Sequence, residues 1–452
     1  MTDNVLEQAL KNWIRSAPQR TTELAADKAS FGAFWHKATE LLGRLPPKSR
    51  RNTAEAAEAA EILRTARESR ALFMRAHARE VYDSLTAARH KFVRVDALCA
   101  RAAELYPGLV PSPKDLAHDT GVFQRDKDGV EVDQGIFLAQ VLSDPASGMH
   151  LCHAMLLPRD DSVAYLKDLE KKGELRFTGA TIRREGKASI LTMGNPPYLN
   201  AEDETTMEGM EIATDLALLD PATEVCVLRG DVVTHRKYAG QRLFGAGINL
   251  THLYQGKIRF LWYMIRDLGF VNKFYRGLAR PDVSPEEDAI EKLWIGAVEG
   301  FAIGGHCQIL LTLDQVVATE NAYMTLPARK EGIVPGAANL RLPRHVGVRV
   351  ARQAILAERR IEWTSPEGRM ICDYIVPAEK MNAEVDRLVA HVTNSGMVSA
   401  ASNRRALRAG EEPLDLFRRY MAVYAREQAH CHFSPALISN LERHWDAANR
   451  RG

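Results

Sequence analysis

Charge imbalance and long apolar runs are both missing from this sequence. The 452 residues carry 60 Lys and Arg against 58 Asp and Glu, a formal net charge of +2, so no global electric field points to nucleic acid or an anionic membrane as partner. No window reaches the roughly 18 consecutive apolar residues that a membrane span needs, and no basic segment followed by an apolar stretch opens the chain. We therefore expect a soluble, unexported, cytoplasmic protein.

Cysteine is scarce, and no Cys-x-x-Cys pair occurs. Widely separated cysteines are typical of reduced thiols in a cytosolic enzyme rather than of a disulfide framework or a zinc site. Cys307 lies near a predicted helix start, where a dipole could lower its pKa, but a buried packing role is favoured for it. The six cysteines are Cys99, Cys152, Cys226, Cys307, Cys372 and Cys431.

Several cofactor and nucleophile motifs are also missing. The chain has no P-loop and no Gly-x-Ser-x-Gly elbow, and the segment 245–250 cannot be a complete dinucleotide loop because Leu250 replaces the third glycine. The sequence 444–446, His-Trp-Asp, has the spacing of a non-haem iron site, but no histidine follows it. The cluster 430–432, His-Cys-His, has no partner cluster. We predict no metal and no NAD or flavin.

The front of the chain has a helical composition. No Gly or Pro occurs between Lys48 and Tyr106, and Thr53–Arg89 is rich in Ala, Glu, Arg and Leu, which are strong helix formers. A small apolar face recurs at three- and four-residue steps. It predicts helix packing rather than a basic membrane or nucleic-acid helix, because Glu residues interrupt the positive charge. The residues of this face are Ile62, Ala66, Ser69, Phe73 and Ala76.

Beyond about residue 172, strand and helix patterns alternate. Leu175–Thr181 and Ala188–Met193 predict a hairpin with a polar turn at 184–187, and Glu202–Leu219 predicts a helix. Alternation of this kind indicates an α/β core. Further strands are predicted at Glu224–Leu228, Trp294–Val298, Gln315–Thr319 and Ile371–Val376.

The end of the chain returns to helix, at Asn382–His391 and Leu414–Arg450, and is rich in arginine. We favour a helical segment for packing or oligomerisation over a nucleic-acid arm, because glutamates offset the arginines. The predicted domains are therefore 1–172 (helical), 173–387 (α/β core) and 388–452 (helical segment).

Two glycine sites suggest backbone chemistry. Gly247 permits a tight turn that would point the N–H of Ile248 into a pocket, and the pair Gly304-Gly305 opens a helical pattern whose first amides favour a negative oxygen. Two such amides would form an oxyanion hole. A glycine at either site alone is more often structural. The interpretation as an oxyanion hole therefore depends on the two sites occurring together.

Four motifs in this order resemble the crotonase (enoyl-CoA hydratase/isomerase) superfamily over roughly Leu175–Arg387. The resemblance implies a ββα spiral core, a bound acyl-CoA, and an enolate oxygen held by the amides of Ile248 and Gly305. The motifs are 195–201 (Asn-Pro-Pro-Tyr-Leu-Asn-Ala), 243–250 (Leu-Phe-Gly-Ala-Gly-Ile-Asn-Leu), 297–308 (Ala-Val-Glu-Gly-Phe-Ala-Ile-Gly-Gly-His-Cys-Gln), and 332–337 with 341–344. The substrate-binding residues implied around these amides are Ala246, Gly247, Asn249, Leu250 and Gly304.

The chain departs from the family pattern at chemically important positions. Hydratases of the family use two glutamates as acid and base, and the matching positions here are Gln308 and Ala328, neither of which can carry a proton. Asn249 replaces an aspartate, and the insertion 231–242 differs from the short family loop. The resemblance therefore implies a reaction other than hydration.

The helical front and these substitutions together resemble one branch of the family, and the resemblance covers the whole chain. This branch consists of the cofactor-independent dioxygenases that act on 3,5-dihydroxyphenylacetyl-CoA in glycopeptide-antibiotic biosynthesis. The branch implies conversion of the thioester and O2 to 3,5-dihydroxyphenylglyoxylate and free CoA, a precursor of 3,5-dihydroxyphenylglycine. Because triplet O2 reacts slowly with closed-shell molecules and no cofactor motif is found, the substrate carbanion must supply the electrons.

The same resemblance implies contacts beyond the oxyanion hole. Glu202 is implied to bind a ring hydroxyl, and Arg266 and Gln308 are implied as further substrate contacts, with Gln308 counted among the catalytic residues. Each of the three residues also has a simpler possible role. Glu202 could be a partner of a helix dipole, Arg266 could be a surface charge, and Gln308 could be an amide on a helix surface. A loop implied to touch CoA could equally be solvated. It consists of His235, Arg236, Lys237 and Tyr238.

Two other classes of function remain as alternatives. One is an acyl-CoA hydrolase, decarboxylase or isomerase that uses the same oxyanion hole without O2. The other is a non-catalytic RNA-binding module that uses the arginine-rich end of the chain. The resemblance also implies a trimer or hexamer, and it leaves the base that removes the α-proton unassigned. Because O2 is apolar, we also expect a small apolar O2 pocket near the α-carbon.

Overall fold

The structure, a computed structural model, describes residues 2–450 and the side chains of residues 6–450. It divides the chain into two compact units. One comprises residues up to 154 with 254–261 and 418–439, and the other comprises 155–253, 262–417 and the residues from 440 onward. The domain boundaries drawn from the sequence, at 172/173 and 387/388, stay a prediction. Among the described helices, none is long and apolar enough to cross a membrane.

Helices dominate the first 172 residues, as the composition predicts. The described helices there are α1 (Thr2–Arg15), α2 (Leu24–Leu42), α3 (Thr53–Leu85), α4 (Val95–Leu105), α5 (Pro113–Ala117), α6 (Val132–Ser143), α7 (Pro145–Leu156) and α8 (Asp160–Lys172). Strands begin directly after α8. They are β1 (Glu174–Phe177), β2 (Ala180–Glu185), β3 (Ala188–Met193), β4 (Val225–Gly230), β5 (Leu278–Ala279), β6 (Ala289–Ile290), β7 (Leu293–Val298), β8 (Phe301–Ile303), β9 (Gln315–Thr319), β10 (Tyr323–Thr325), β11 (Ile361–Glu362) and β12 (Tyr374–Val376).

The remaining helices alternate with these strands and then close the chain. They are α9 (Glu204–Leu219), α10 (Leu250–Tyr254), α11 (Phe260–Leu268), α12 (Phe270–Arg276), α13 (Gly305–Leu310), α14 (Ala328–Glu331), α15 (Ala338–Ala357), α16 (Met381–Val392), α17 (Val398–Glu411), α18 (Leu414–His432) and α19 (Pro435–Trp445). The α/β class is confirmed. The prediction of one helical segment over Leu414–Arg450 is wrong, because the structure has two separate helices there, α18 and α19, with a break between His432 and Pro435.

The long helix α3 carries the predicted packing face. A capping box begins it, in which Asn52 accepts a hydrogen bond from the Glu55 amide and the Glu55 carboxylate accepts one from the Asn52 amide. Four of the five predicted face residues are buried, and Phe73 lies against Trp35 with their ring centroids 5.3 Å apart. The helix ends four residues before Arg89, the predicted end, because residues 87–89 all have positive φ.

A seven-stranded sheet forms the base of the second unit, in the order β1-β2-β3-β4-β7-β9-β12. The strands β1, β2 and β3 are antiparallel, and the pairs from β3 to β12 are parallel. The predicted strand Leu175–Thr181 is wrong. A turn at Gly179, with φ +86°, divides it into β1 and β2. The hairpin itself is confirmed, with Glu185 opposite Ala188.

A smaller sheet brings β8 next to the predicted glycine pair. Its order is β11-β10-β8, and Ile303 at the end of β8 pairs with Thr325 of β10. The chain turns at Gly304 with φ +54° before α13 begins. Carboxyl ends of parallel strands are where α/β proteins place ligand sites. The turn between β8 and α13 therefore marks a candidate site.

The arginine-rich end of the chain is largely engaged in ion pairs. Arg404 and Arg408 are both buried and both bind Glu291, Arg408 through both carboxylate oxygens, and Arg404 also binds Asp314. Arginines held in this way contribute to packing, which is the role favoured from the sequence.

Candidate active site

The turn around Gly247 leaves one amide unused. Glu202 donates its N–H to the carbonyl oxygen of Gly247 at 2.7 Å, and Asn249 donates its N–H to the carbonyl oxygen of Glu202 at 2.8 Å. The amide of Ile248 lies between these two bonds and donates to no described residue. Backbone amides along an extended segment alternate in direction, so this N–H faces the opposite side. Ile248 lines a cavity on that side.

The Gly304-Gly305 turn leaves a second amide unused. Gly304 donates its N–H to the carbonyl oxygen of Thr325 at 3.0 Å. The Gly305 amide is the first of α13 and has no acceptor among the described residues, as is usual for the first turn of a helix. The two predicted oxyanion-hole donors, Ile248 and Gly305, therefore both carry available N–H groups.

The two turns approach each other closely. A methyl group added to Gly247 would lie 3.0 Å from the Gly305 nitrogen and 2.8 Å from the Ile303 carbonyl oxygen. Gly247 also has φ +78°, a conformation that L side chains rarely adopt. Glycine at this position therefore keeps open the space in front of the Gly305 amide.

Glu202, Arg266 and Gln308 form one buried hydrogen-bonded cluster. The guanidinium of Arg266 donates from Nε to Oε1 of Glu202 at 2.9 Å and from Nη2 to Oε2 at 2.8 Å. Its Nη1 donates to Oε1 of Gln308 at 2.7 Å. All three side chains are at most 7% exposed. Two of the plainer interpretations are therefore wrong, since Arg266 is not a surface charge and Gln308 is not a helix-surface amide.

Glu202 lies outside the helix that the sequence predicts to begin with it. Asp203 caps α9 by accepting a hydrogen bond from the Thr205 amide at 2.9 Å, so the helix starts at Glu204 and Glu202 remains in extended backbone. The helix-dipole interpretation of Glu202 is therefore wrong. Its carboxylate points instead to Gly305, where an added methyl group would lie 2.7 Å from Oε2.

A neutral histidine joins the two turns. His306 is fully buried and accepts a hydrogen bond at Nδ1 from the Gly247 amide at 2.9 Å. Burial lowers the pKa of His306 to about 4, because the charged imidazolium is poorly solvated there. Its acceptor role requires an unprotonated Nδ1, which places the proton of the neutral ring on Nε2.

Cys307, the next residue, has no nucleophilic character. Its thiol is buried and donates towards the carbonyl oxygens of Ala302 at 3.0 Å and Thr325 at 3.1 Å. Burial raises the pKa of the Cys307 thiol, and a protonated thiol is a poor nucleophile. The packing role favoured for Cys307 is confirmed.

A cavity of about 430 Å³ opens beside Ile248 and Ile303, the residue before the Gly304-Gly305 turn. Besides Ile248, it brings together predicted residues from both the Gly247 turn and the insertion. These are Ala246, Asn249, Leu250, His235, Lys237 and Tyr238. The exposed Arg236, the glycines 247, 304 and 305, and the buried Glu202, Arg266 and Gln308 are not part of its lining.

Several cavity residues were missed by the sequence analysis. Glu331 is the least exposed of the charged ones, at 8%. It ends a short helix directly before the matched motif 332–337, but no residue pattern separates it from the neighbouring surface charges. The other missed residues in the lining include Tyr198, Tyr323, Thr325, Lys330, His444, Trp445 and Arg450. Among the side chains of residues 6–450, no group of three His, Cys, Asp or Glu is placed to hold a metal ion.

Comparisons with known proteins agree with this geometry. A family model described as enoyl-CoA hydratase/isomerase matches residues 184–423. The chain is 44% identical over 414 residues, 91% of its own length and 94% of the relative's, to a (3,5-dihydroxyphenyl)acetyl-CoA 1,2-dioxygenase of Amycolatopsis orientalis. It is 26% identical to a short-chain-enoyl-CoA hydratase of Clostridium acetobutylicum, over 52% of this chain and 83% of that protein.

Solved structures show the same fold. A crystal structure of an enoyl-CoA hydratase from Mycobacterium avium subsp. paratuberculosis K-10 superposes with a TM-score of 0.50 at 20% sequence identity, covering 61% of this chain and 100% of that one. The likeness at this identity concerns the fold alone. The crotonase-like core predicted from the motifs is confirmed.

Proposed function

The chain belongs to the enoyl-CoA hydratase/isomerase family, the crotonase superfamily, and from this premise we propose that it converts 3,5-dihydroxyphenylacetyl-CoA and O2 to 3,5-dihydroxyphenylglyoxylate and free CoA. The observation that carries the proposal is the similarity, over nearly the full length of both chains, to an enzyme that oxidises this thioester. The reaction balances without another reactant, because both oxygen atoms of O2 enter the glyoxylate.

The two free amides supply the electrostatic part of the mechanism. The thioester oxygen lies between the N–H groups of Ile248 and Gly305, which stabilise the negative charge that develops when the α-carbon loses a proton. A donor of this type contributes about 3 kcal/mol to the transition state in enzymes where it has been removed. The dihydroxyphenyl ring spreads the same charge further. The resulting carbanion is electron-rich enough to react with O2 directly.

The buried ion pair orients the ring. Arg266 fixes the Glu202 carboxylate from one side by two parallel hydrogen bonds, and a carboxylate has further lone pairs to accept a hydroxyl proton of the substrate ring. Gln308 accepts from Arg266 through its oxygen, so its NH2 group is the one available to donate. These three residues position the substrate, while the backbone amides stabilise its charge.

Lys237 lies in the cavity lining with His235 and Tyr238. Its ammonium group suits the phosphates of CoA. The lining also carries apolar side chains that provide the dry surroundings an apolar O2 molecule prefers, namely Leu250, Phe301 and Ile303.

Hydration, the usual reaction of the family, lacks its acid and base here. Gln308 and the buried Ala328 occupy the two positions, and neither side chain exchanges a proton. The proposed reaction uses no metal and no flavin. We also propose that the protein is a cytoplasmic trimer or hexamer, and that its product is a precursor of 3,5-dihydroxyphenylglycine for glycopeptide antibiotics.

Oxygen uptake tests the proposal directly. Chelator-treated, flavin-free protein is given 3,5-dihydroxyphenylacetyl-CoA under 18O2, and O2 consumption, CoA release and product mass are measured. Uptake equal to CoA release, with two labelled oxygen atoms in the glyoxylate, is the expected result. Thioester loss without O2 uptake would contradict the proposal and favour a hydrolase that uses the same oxyanion hole.

A further inference from the structure

Glu331 differs from the other carboxylates around the site in having no partner. It is 8% exposed, and among the described residues no group forms a hydrogen bond or ion pair with its side chain. Buried carboxylates are normally paired, since an isolated buried charge is costly. Glu202 follows this rule through Arg266, and Glu331 breaks it. A buried carboxylate left without a partner beside a cavity therefore requires a functional explanation.

The position of Glu331 connects it to the oxyanion hole. The residue lines the cavity that Ile248 also lines, and a methyl group added to Gly304 would lie 4.0 Å from its Oε2 atom. Gly304 is bonded directly to Gly305, whose amide is the second donor. The α-carbon of a bound thioester is one bond from the carbonyl carbon, so a carboxylate beside this turn lies near the α-protons.

The cation next to Glu331 in sequence is engaged elsewhere. Lys330 and Arg329 both bind Glu358, the residue that follows α15. Burial, and then the charge of Glu358, raise the pKa of Glu331 to about 7. A carboxylate with such a pKa is a better proton acceptor than an ordinary glutamate and is still ionised in half of the molecules near neutral pH.

Other titratable groups near the cavity are less suited to accept this proton. Lys237, Lys330 and Arg450 have side chains that donate hydrogen bonds and offer no acceptor. The imidazole of His444 is exposed and that of His235 lies on the insertion loop, half-buried. Burial, and to a lesser extent the charge of Glu331, raise the pKa of the Cys307 thiol on α13, so it too stays protonated. Among the described residues that line the cavity, Glu331 is the buried carboxylate.

We infer that Glu331 is the base that removes the α-proton of the substrate, an assignment that rests on the proposed function. In this step the Cα–H bond breaks, the proton moves to a Glu331 carboxylate oxygen, and the electron pair stays with the α-carbon. It delocalises onto the thioester oxygen, which the Ile248 and Gly305 amides hold, and into the ring. No oxidant takes part in the step, so it proceeds without O2.

Anaerobic proton exchange tests the assignment apart from the oxygenase reaction. The wild-type protein and Glu331→Gln are incubated with 3,5-dihydroxyphenylacetyl-CoA in D2O without O2, and deuterium at the α-carbon is followed by mass spectrometry. The aerobic kcat is measured in parallel. We expect Glu331→Gln to lower both rates by about 100-fold or more, with KM changed little. Glu331→Asp, which retains a carboxylate, should recover part of both.

Glu358→Gln is the matched control. It removes a nearby carboxylate that raises the pKa of Glu331 and frees Lys330, so the rise of kcat with pH should move to lower pH while the maximal rate is retained. Because a structural role for Glu331 would produce no such shift, the pH profile separates the two roles. Unfolding midpoints of all variants, measured by circular dichroism, show whether the fold is retained.

The outcomes separate this inference from the proposed function. Exchange and turnover kept within about threefold in Glu331→Gln would overturn the inference, while O2 uptake by the wild type would still support the oxygenase. Exchange that depends on Glu331 in a protein that takes up no O2 would leave the base assigned and contradict the oxygenase. An unchanged pH profile in Glu358→Gln would also count against Glu331.

Discussion

Arg266 and Glu202, which are 64 positions apart in sequence, share two hydrogen bonds of 2.9 and 2.8 Å in a buried pair. Nη2 of the same guanidinium also donates to the carbonyl oxygen of Gly305 at 2.8 Å. One side chain thus connects the proposed ring-binding carboxylate to the residue whose amide is the second proposed oxyanion-hole donor. Changes at Arg266 should therefore affect stability and catalysis together.

Arg266→Lys should be strongly destabilising although it retains the charge. A lysine ammonium cannot reproduce the planar, bidentate geometry, and disrupting a buried charge pair costs roughly 3–5 kcal/mol. Urea unfolding measures the loss, and kcat should fall as well. Arg176→Lys is the control, because Arg176 pairs with Glu174 at the surface, where such pairs contribute at most about 1 kcal/mol. Equal losses in the two variants would refute the argument.

Gly247→Ala should reduce kcat by about 100- to 1,000-fold, the usual effect of losing an oxyanion-hole donor. The added methyl group would lie 3.0 Å from the Gly305 nitrogen and displace the two amides. Gly173→Ala controls for backbone strain, since Gly173 also has positive φ, +72°, but has no atom within 4 Å of an added methyl group. We expect it to lower stability slightly and leave kcat unchanged. Similar kcat values for the two variants would contradict the close approach of the turns.

Lys237→Gln should raise KM for the CoA thioester several-fold and weaken its dependence on salt, because a charge contact with phosphate is lost. The N-acetylcysteamine thioester of the same acid carries no phosphate and should show no change in KM. Steady-state kinetics at two ionic strengths measure both. An equal rise in KM for both thioesters would show that Lys237 acts on something other than phosphate.

Acid should destabilise the protein through Glu412. Burial opposes ionisation of this carboxylate, but Arg341 and Arg276 at 3.0 and 3.1 Å, with Arg344, hold its pKa at about 2. Its ordinary value is 4.5. The folded state therefore binds the proton more weakly, and the stabilisation present above pH 4.5 is lost as the pH falls towards 2, by about 3 kcal/mol in all.

Comparing Glu412→Gln with the wild type tests this assignment. The variant should be less stable at neutral pH, and the difference in unfolding free energy between the two proteins should shrink as the pH falls from 4.5 to 2. Chemical denaturation at several pH values measures it. A constant difference over that interval would show that Glu412 does not carry the acid dependence.

His306 should remain neutral at pH 6, with its proton on Nε2. Burial holds its pKa at about 4, and Nδ1 accepts from the Gly247 amide. 15N NMR of labelled histidine distinguishes the tautomers and follows the titration. An imidazolium signal at pH 6 would contradict the contact, since a protonated Nδ1 cannot accept a hydrogen bond.

The sequence by itself determined the family and the fold class, and it predicted the two oxyanion-hole amides, whose N–H groups have no acceptor among the described residues. Gly247, Gly304 and Gly305 stand where the local backbone conformation requires glycine. Because such a requirement is local, it can be recognised from the residue types and their order along the chain. The replacement of two glutamates by Gln308 and Ala328 could also be recognised from the sequence, because the loss of an acid and a base is visible in the residue types alone. Boundaries were less well predicted, since caps such as Asp203 and turns such as Gly179 act over one or two residues.

Tertiary structure alone decided which charges are paired and which are not. Glu202 and Glu331 are both glutamates beside matched motifs, and nothing in their neighbouring residues distinguishes them. Folding places Arg266 against the first and buries the second near Gly304, with no counter-ion in the part of the chain that the structure describes. Burial and charge pairing depend on residues far away in sequence, so the chemistry of a carboxylate emerges only when the chain has folded.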